Sequence, residues 1–166
     1  MVISDLTEAD CEALSRAFRG THLERPASQI ARHLGACAAG ARLALVARGP
    51  DGAVGYGTLD WESDHPPFRD AGIPEIRDLN VAPHARRQGI ASRLLDAFEE
   101  RARERAPSVG IGFGLYRDYG AAQRLYVARG YVPDGNGAYC GTEPLRAGER
   151  VIVDDELVLF LVKELV

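Results

Sequence analysis

The chain predicts an α+β domain of three layers, a mixed central sheet with helices on both faces, and three observations carry that expectation. A strand pattern at 75–81 runs through a short basic turn into an amphipathic helical stretch, and a further strand pattern starts at Val109. Strand, helix and strand in that order require a parallel crossover. Two earlier strand patterns, 41–47 and 54–61, flank Gly49-Pro50-Asp51-Gly52, strong turn chemistry that makes them an antiparallel hairpin. The chain closes on the apolar run Leu157-Val158-Leu159-Phe160-Leu161-Val162, read as one more antiparallel strand. Parallel and antiparallel pairings together make the sheet mixed, and the intervening helices must cover its two faces.

In chain order, Val2-Ile3 reads as a short first strand. Thr7 to Asp10 has the form of a capping box, and Ala9, Leu14, Ala17 and Phe18 then give a helix one apolar stripe. A second helix fits 26–37, with proline at an early position and Ile30, Ala31 and Leu34 as its apolar face. Residues 62–74, holding Pro66, Pro67 and Pro74, read as a loop. The helix after Gly89 carries Ile90, Leu94, Leu95, Phe98 and Ala102 at helical spacing, with Glu99 and Arg103 expected to pair on its wet face. A glycine-interrupted strand at 109–115 follows, then a helix within 118–131, the short extended pair Tyr131-Val132, and the closing strand.

Composition narrows the class. With 166 residues, the chain is read as one domain over 1–166, long enough to bury a full core. Hydrophobic content of 46% and charged content of 27% are ordinary for a globular protein. No apolar run approaches the roughly twenty residues that span a bilayer, so no membrane partner is expected. The start Met1-Val2-Ile3-Ser4-Asp5 has no basic region leading into an apolar one, and no signal peptide is expected. Cys11, Cys37 and Cys140 are odd in number and scattered, which argues against disulfides and against a zinc site and points to the cytoplasm. A net charge of −4 without a basic, aromatic-interleaved stripe argues against nucleic acid. Lys163 is the only lysine among many arginines, the mark of a GC-rich, bacterial coding sequence, and it leaves little room for a catalytic lysine.

The most informative stretch is the turn between the 75–81 strand and its helix. A strand feeding a helix N-terminus leaves several backbone N–H groups pointing into one concavity, where the helix dipole also favours an anion. Gly89 removes a Cβ from that approach and Ala91 keeps the next turn small. The turn has neither the glycine-lysine pattern of a Walker loop nor the three spaced glycines of a dinucleotide fold. It reads instead as Arg/Gln-x-x-Gly-x-Gly/Ala, here Arg86-Arg87-Gln88-Gly89-Ile90-Ala91. Downstream, Tyr119, Ala122, Leu125, Tyr126, Gly130 and Tyr131 fall on the pattern Asn-x-x-Ala-x-x-Leu-Tyr-x-x-x-Gly-Phe, with Tyr119 in place of asparagine and Tyr131 in place of phenylalanine.

Taken together, the two motifs resemble those of the GCN5-related N-acetyltransferases (GNAT) over roughly residues 75–133. The resemblance implies a V-shaped splay between two central parallel strands, which Gly110, Gly112 and Gly114 suit because glycine weakens strand pairing and allows close approach. It implies acetyl-CoA as cofactor, its pyrophosphate on the amides of Arg87, Gln88, Gly89, Ile90, Ala91 and Ser92, with Arg86 or Arg87 adding a charged contact. Leu79, Asn80 and Val81 would pair with the pantetheine arm as an added strand, an amide near Leu79 polarising the thioester carbonyl. The Tyr119 hydroxyl would stand in for the missing asparagine amide. Tyr126 is the expected general acid for the departing thiolate. Glu75, fourteen residues before Gly89, is the expected base, with Asp78 or a water relay as alternatives. His65 and His84 are read as bystanders.

The acceptor is expected to be a small-molecule primary amine attacked directly in a ternary complex. Asp60, Glu62, Asp64, Glu75, Asp78 and Asp118 concentrate acid near its presumed side, which favours a cationic molecule. The rival readings are a non-catalytic acyl-CoA-binding sensor and a protein N-acetyltransferase. A homodimer through the apolar last strand is a further expectation.

Overall fold

The computed structural model describes residues 1–165. Eight strands form one sheet: β1 (Val2–Asp5), β2 (Arg42–Gly49), β3 (Gly52–Asp60), β4 (Glu75–Val81), β5 (Ser108–Gly114), β6 (Val132–Cys140), β7 (Glu143–Pro144) and β8 (Leu157–Glu164). Their spatial order is β1-β2-β3-β4-β5-β8-β6-β7, with β4–β5 parallel and every other pairing antiparallel. Five helices complete the architecture: α1 (Glu8–Ala17), α2 (Ala27–Ala38), α3 (Pro66–Ala71), α4 (Ile90–Arg103) and α5 (Gly120–Ala128). The mixed sheet, the hairpin and the parallel crossover are as the sequence predicts.

The two larger cores lie on opposite faces of the sheet. On one, α4 buries Ile90, Leu94, Leu95, Phe98 and Ala102 against Leu45, Leu59, Ile76, Val109 and Ile111, joined by Tyr126 of α5. Each of the large α4 side chains contributes roughly 1.5–3 kcal/mol of burial, so this helix is firmly seated behind the turn that precedes it. On the other face, Leu14 of α1, Phe18 at its C-cap and Ile30 of α2 pack on Ala44, Val46 and Tyr56. The buried stripe of α1 runs through Cys11 and Leu14 to Phe18, while Ala9 is exposed. The expected capping box closes α1, with the Asp10 carboxylate accepting from the Thr7 N–H at 2.9 Å and its hydroxyl at 2.6 Å.

Four sequence readings are corrected. The 62–74 segment is not only loop: Pro66 and Pro67 occupy the first positions of α3, where a missing N–H costs nothing, and Phe68 is buried beneath it. The pair Tyr131-Val132 opens onto the nine-residue strand β6, which tolerates Pro133, Gly135 and Gly137 because its register shifts between Pro133 and Ala138. Glu99 is not on a wet face. It is buried, accepting from Arg129 (3.0 Å), the Tyr131 hydroxyl (3.1 Å) and Lys163 (2.6 Å), and thereby ties α4 to the end of α5 and to β8. Finally β8 is an interior strand, paired on both sides with β5 and β6, so it offers no edge through which a dimer could extend the sheet.

Candidate active site

The splay is built at the β4–β5 boundary. These strands pair only at Glu75↔Gly110 and Ile76↔Ile111, after which β4 follows β3 and β5 follows β8. A bulge drives the departure: Arg77 and Asn80 face Thr58 and Tyr56, leaving Asp78 and Leu79 opposite Gly57 alone. Asp78 takes a positive φ of 50°, and the missing Cβ of Gly57 leaves room for Phe98 and Leu79. The glycines of β5 play another part than the one expected. Its pairing with β8 is continuous through Gly110, Gly112 and Gly114, and the space their side chains would fill is taken by Phe68, by Val158 with Phe160, and by Tyr119.

At the far end of β4 the chain makes a single 3₁₀ turn (Pro83–Ala85) and enters the basic turn. Arg87 and Gly89 both have positive φ, 60° and 76°, an alternation of the kind that gathers successive N–H groups around an anion. Gly89 is the N-cap of α4, no side chain caps that end, and its first turn holds no acidic residue. The donors of Ile90, Ala91 and Ser92 are thus left without an internal rival for an anion. The Arg86 guanidinium donates to the Val81 carbonyl at 3.1 Å and fastens the turn to the strand end, whereas Arg87 and Gln88 are exposed.

Tyr126 lies in the wall beside the splay, only 5% exposed, its ring 6.3 Å from that of Phe113 on β5. Its hydroxyl has no hydrogen-bond partner among the described residues, and burial pushes its pKa well above the ordinary phenol value. Tyr119 differs: its hydroxyl donates to Asp155 at 3.0 Å, as does that of Tyr116 at 2.5 Å, so it is already engaged where the sequence reading had it free for the cofactor.

Glu75 sits at the closed end of the splay, 5% exposed, accepting from the Ser63 hydroxyl. Burial raises its pKa above the usual carboxylate range, against the hydrogen bond from Ser63 and the charge of Arg77. Part of the acidic concentration expected from the sequence is spent internally. Asp60 is forked by Arg42 (2.6 Å to one oxygen), and Asp64 pairs with Arg77 at 2.6 Å. Asp78 remains exposed, and it lines a cleft of about 260 Å³ between α2 and the bulge.

That cleft holds residues the sequence reading missed: Arg25, Arg32, His33, Arg42 and Tyr56. Arg42 donates to His33 Nδ1 at 2.7 Å, and since guanidinium only donates, Nδ1 must be the acceptor and Nε2 must carry the hydrogen. Burial holds His33 below the usual imidazole range, with Asp78 opposing, and Nε2 stands 3.8 Å from the Asp78 carboxylate. His65 is a buried structural residue, stacked on Phe160 and bonded to Asp134 at 2.9 Å, while His84 is exposed.

A splayed parallel pair, an open helix N-terminus behind it and a buried tyrosine beside it define an acyl-transferring enzyme of the acetyltransferase fold. Residues 40–133 match the family described as Acetyltransferase (GNAT) domain, and the chain belongs to that family. Similar solved structures include the ribosomal-protein-alanine N-acetyltransferase of Brucella melitensis (24% identity, TM-score 0.71, covering 99% of this chain and 100% of that one). The protein yncA of Salmonella typhimurium, solved with its cofactor acetyl-CoA, shares 18% identity at a TM-score of 0.68, over 99% of this chain and 93% of that one. An aminoglycoside 6'-N-acetyltransferase complexed with coenzyme A shares 16% at 0.66, over 100% and 98%. A comparison with curated protein sequences finds no match. Among the described residues, no helix is long and apolar enough to cross a membrane.

Proposed function

We propose that the protein is an acetyl-CoA-dependent N-acetyltransferase, one domain over residues 1–166, that acylates a small primary amine within a ternary complex. The observation that carries this reading is the opening of β4 from β5 in front of an uncapped helix end approached through two residues of positive φ. The amides of 87–92 hold the diphosphate, with the exposed Arg87 adding charge. Leu79, Asn80 and Val81 offer their backbone to the pantetheine arm, and the Leu79 amide at the bulge faces the acyl carbonyl. The Tyr119 ring, rather than its hydroxyl, borders that path.

Acetyl-CoA supplies the acyl group as an activated thioester. The acceptor amine arrives protonated, and its ammonium meets the exposed Asp78 on the cleft wall. Glu75 takes the proton the ammonium must lose, through a water relay because it is buried behind the cleft. Its raised pKa moves it toward the neutral range in which a base works best. Tyr126 keeps its proton until charge develops on sulfur, then donates it.

Thiol release from acetyl-CoA over a panel of amines tests the reading. Amine-dependent release is expected, and Glu75→Gln should lower kcat/KM by roughly a hundredfold. The rise of rate with pH as Glu75 deprotonates, above the ordinary carboxylate value, should vanish in that variant. An unaltered pH profile would remove Glu75 as the base. CoA binding without release for any amine would favour a sensor.

A further inference from the structure

The acceptor cleft is bipolar. At the bulge end stands Asp78, the exposed carboxylate among its lining residues. Arg42 also lines it, but Asp60 forks that guanidinium and neutralises it, and His33 is uncharged with Nδ1 occupied. Tyr56 is buried, its pKa pushed up to about 12 mainly by that burial, and stays neutral. Arg25 and Arg32 are different, since neither has an ion-pair partner among the described residues. Backbone carbonyls of His22 (3.4 Å) and Glu24 (2.9 Å) hold the Arg25 guanidinium in place without cancelling its charge. Asp155 lies within its field, but that carboxylate already accepts from Tyr116 and Tyr119, whose hydrogen bonds keep it below the usual range.

Resting on the acetyltransferase reading, we propose that the acceptor is an amine that also carries a carboxylate, an amino-acid-like zwitterion. Its ammonium sits at Asp78 and its carboxylate at Arg25 and Arg32. A cleft of about 260 Å³ lies just below the usual range of ligand pockets and suits a molecule of that size. A polycation meets only one exposed carboxylate there, and two arginines that repel it.

The test uses matched pairs: alanine, β-alanine and 4-aminobutyrate, each against its amide, with thiol release at saturating acetyl-CoA. For the best pair the acid should exceed its amide in kcat/KM by about tenfold or more, the worth of one charge-assisted contact. In the Arg25→Gln/Arg32→Gln protein that ratio should fall toward one through a raised KM. Calorimetric CoA affinity, unchanged in the variant, certifies that it folds. Equal rates within every pair, whether both members react or neither does, overturn the proposal, as does a preference the double variant leaves intact. Failure of the parent protein to bind CoA would instead overturn the acetyltransferase reading and carry this proposal with it.

Discussion

Tyr126 is 5% exposed in a largely apolar wall and its hydroxyl has no hydrogen-bond partner among the described residues, which is what the proposed role as proton donor requires. Tyr126→Phe keeps the packing and removes only that oxygen. CoA affinity should survive while kcat falls by about tenfold to several hundredfold; an unchanged kcat would take the residue out of the mechanism. Its position was legible because Leu-Tyr-x-x-x-Gly spacing is local. Tyr119 was legible as a position but not as a contact, since Asp155 is brought to it from a distant loop. Glu99 carried a readable signal that the i, i+4 pairing rule obscured. Helical geometry stacks it beside Leu95 and Ala102, both buried, and so turns it inward. Arg42 was hidden for another reason. Counted from Gly49↔Gly52, the hairpin would set Arg42 against Leu59, but a bulge between Ala47 and Arg48 shifts it to Asp60.

At the scale of elements, periodicity revealed α4 and the central strands because each has one face to bury. It failed where chain chemistry imitates loop: prolines that start α3, and glycines that let β6 shift register. The α1 cap shows an element held by charge. Burial works against the Asp10 carboxylate, but hydrogen bonds from Arg48 and Thr7 outweigh it and leave its pKa below the ordinary value. A depressed folded pKa contributes stability above the unfolded value near 3.9 and loses it as pH falls through the folded one. Asp10→Asn should therefore cost about 1 kcal/mol at neutral pH. Urea midpoints of parent and variant should converge as pH falls through the folded value of Asp10. A gap of equal size in acid would mean that shape, not charge, holds the cap.

Over the whole molecule, the proposed function rests on one topological event. Two parallel strands begin paired, and the Asp78–Leu79 bulge lets β4 leave β5 while α4, packed behind both, holds the basic turn at the mouth of the gap. The turn and the motif helix were readable from sequence; the cleft was not, because α2, the hairpin and the bulge meet there only after folding. Isothermal calorimetry with CoA and with pantetheine, which lacks the diphosphate, tests this arrangement most directly. CoA should bind one to one, pantetheine far more weakly, and Gly89→Val, strained at φ 76°, should erase most of the difference. A folded protein that gives no heat with CoA, or that binds both ligands equally, would contradict it.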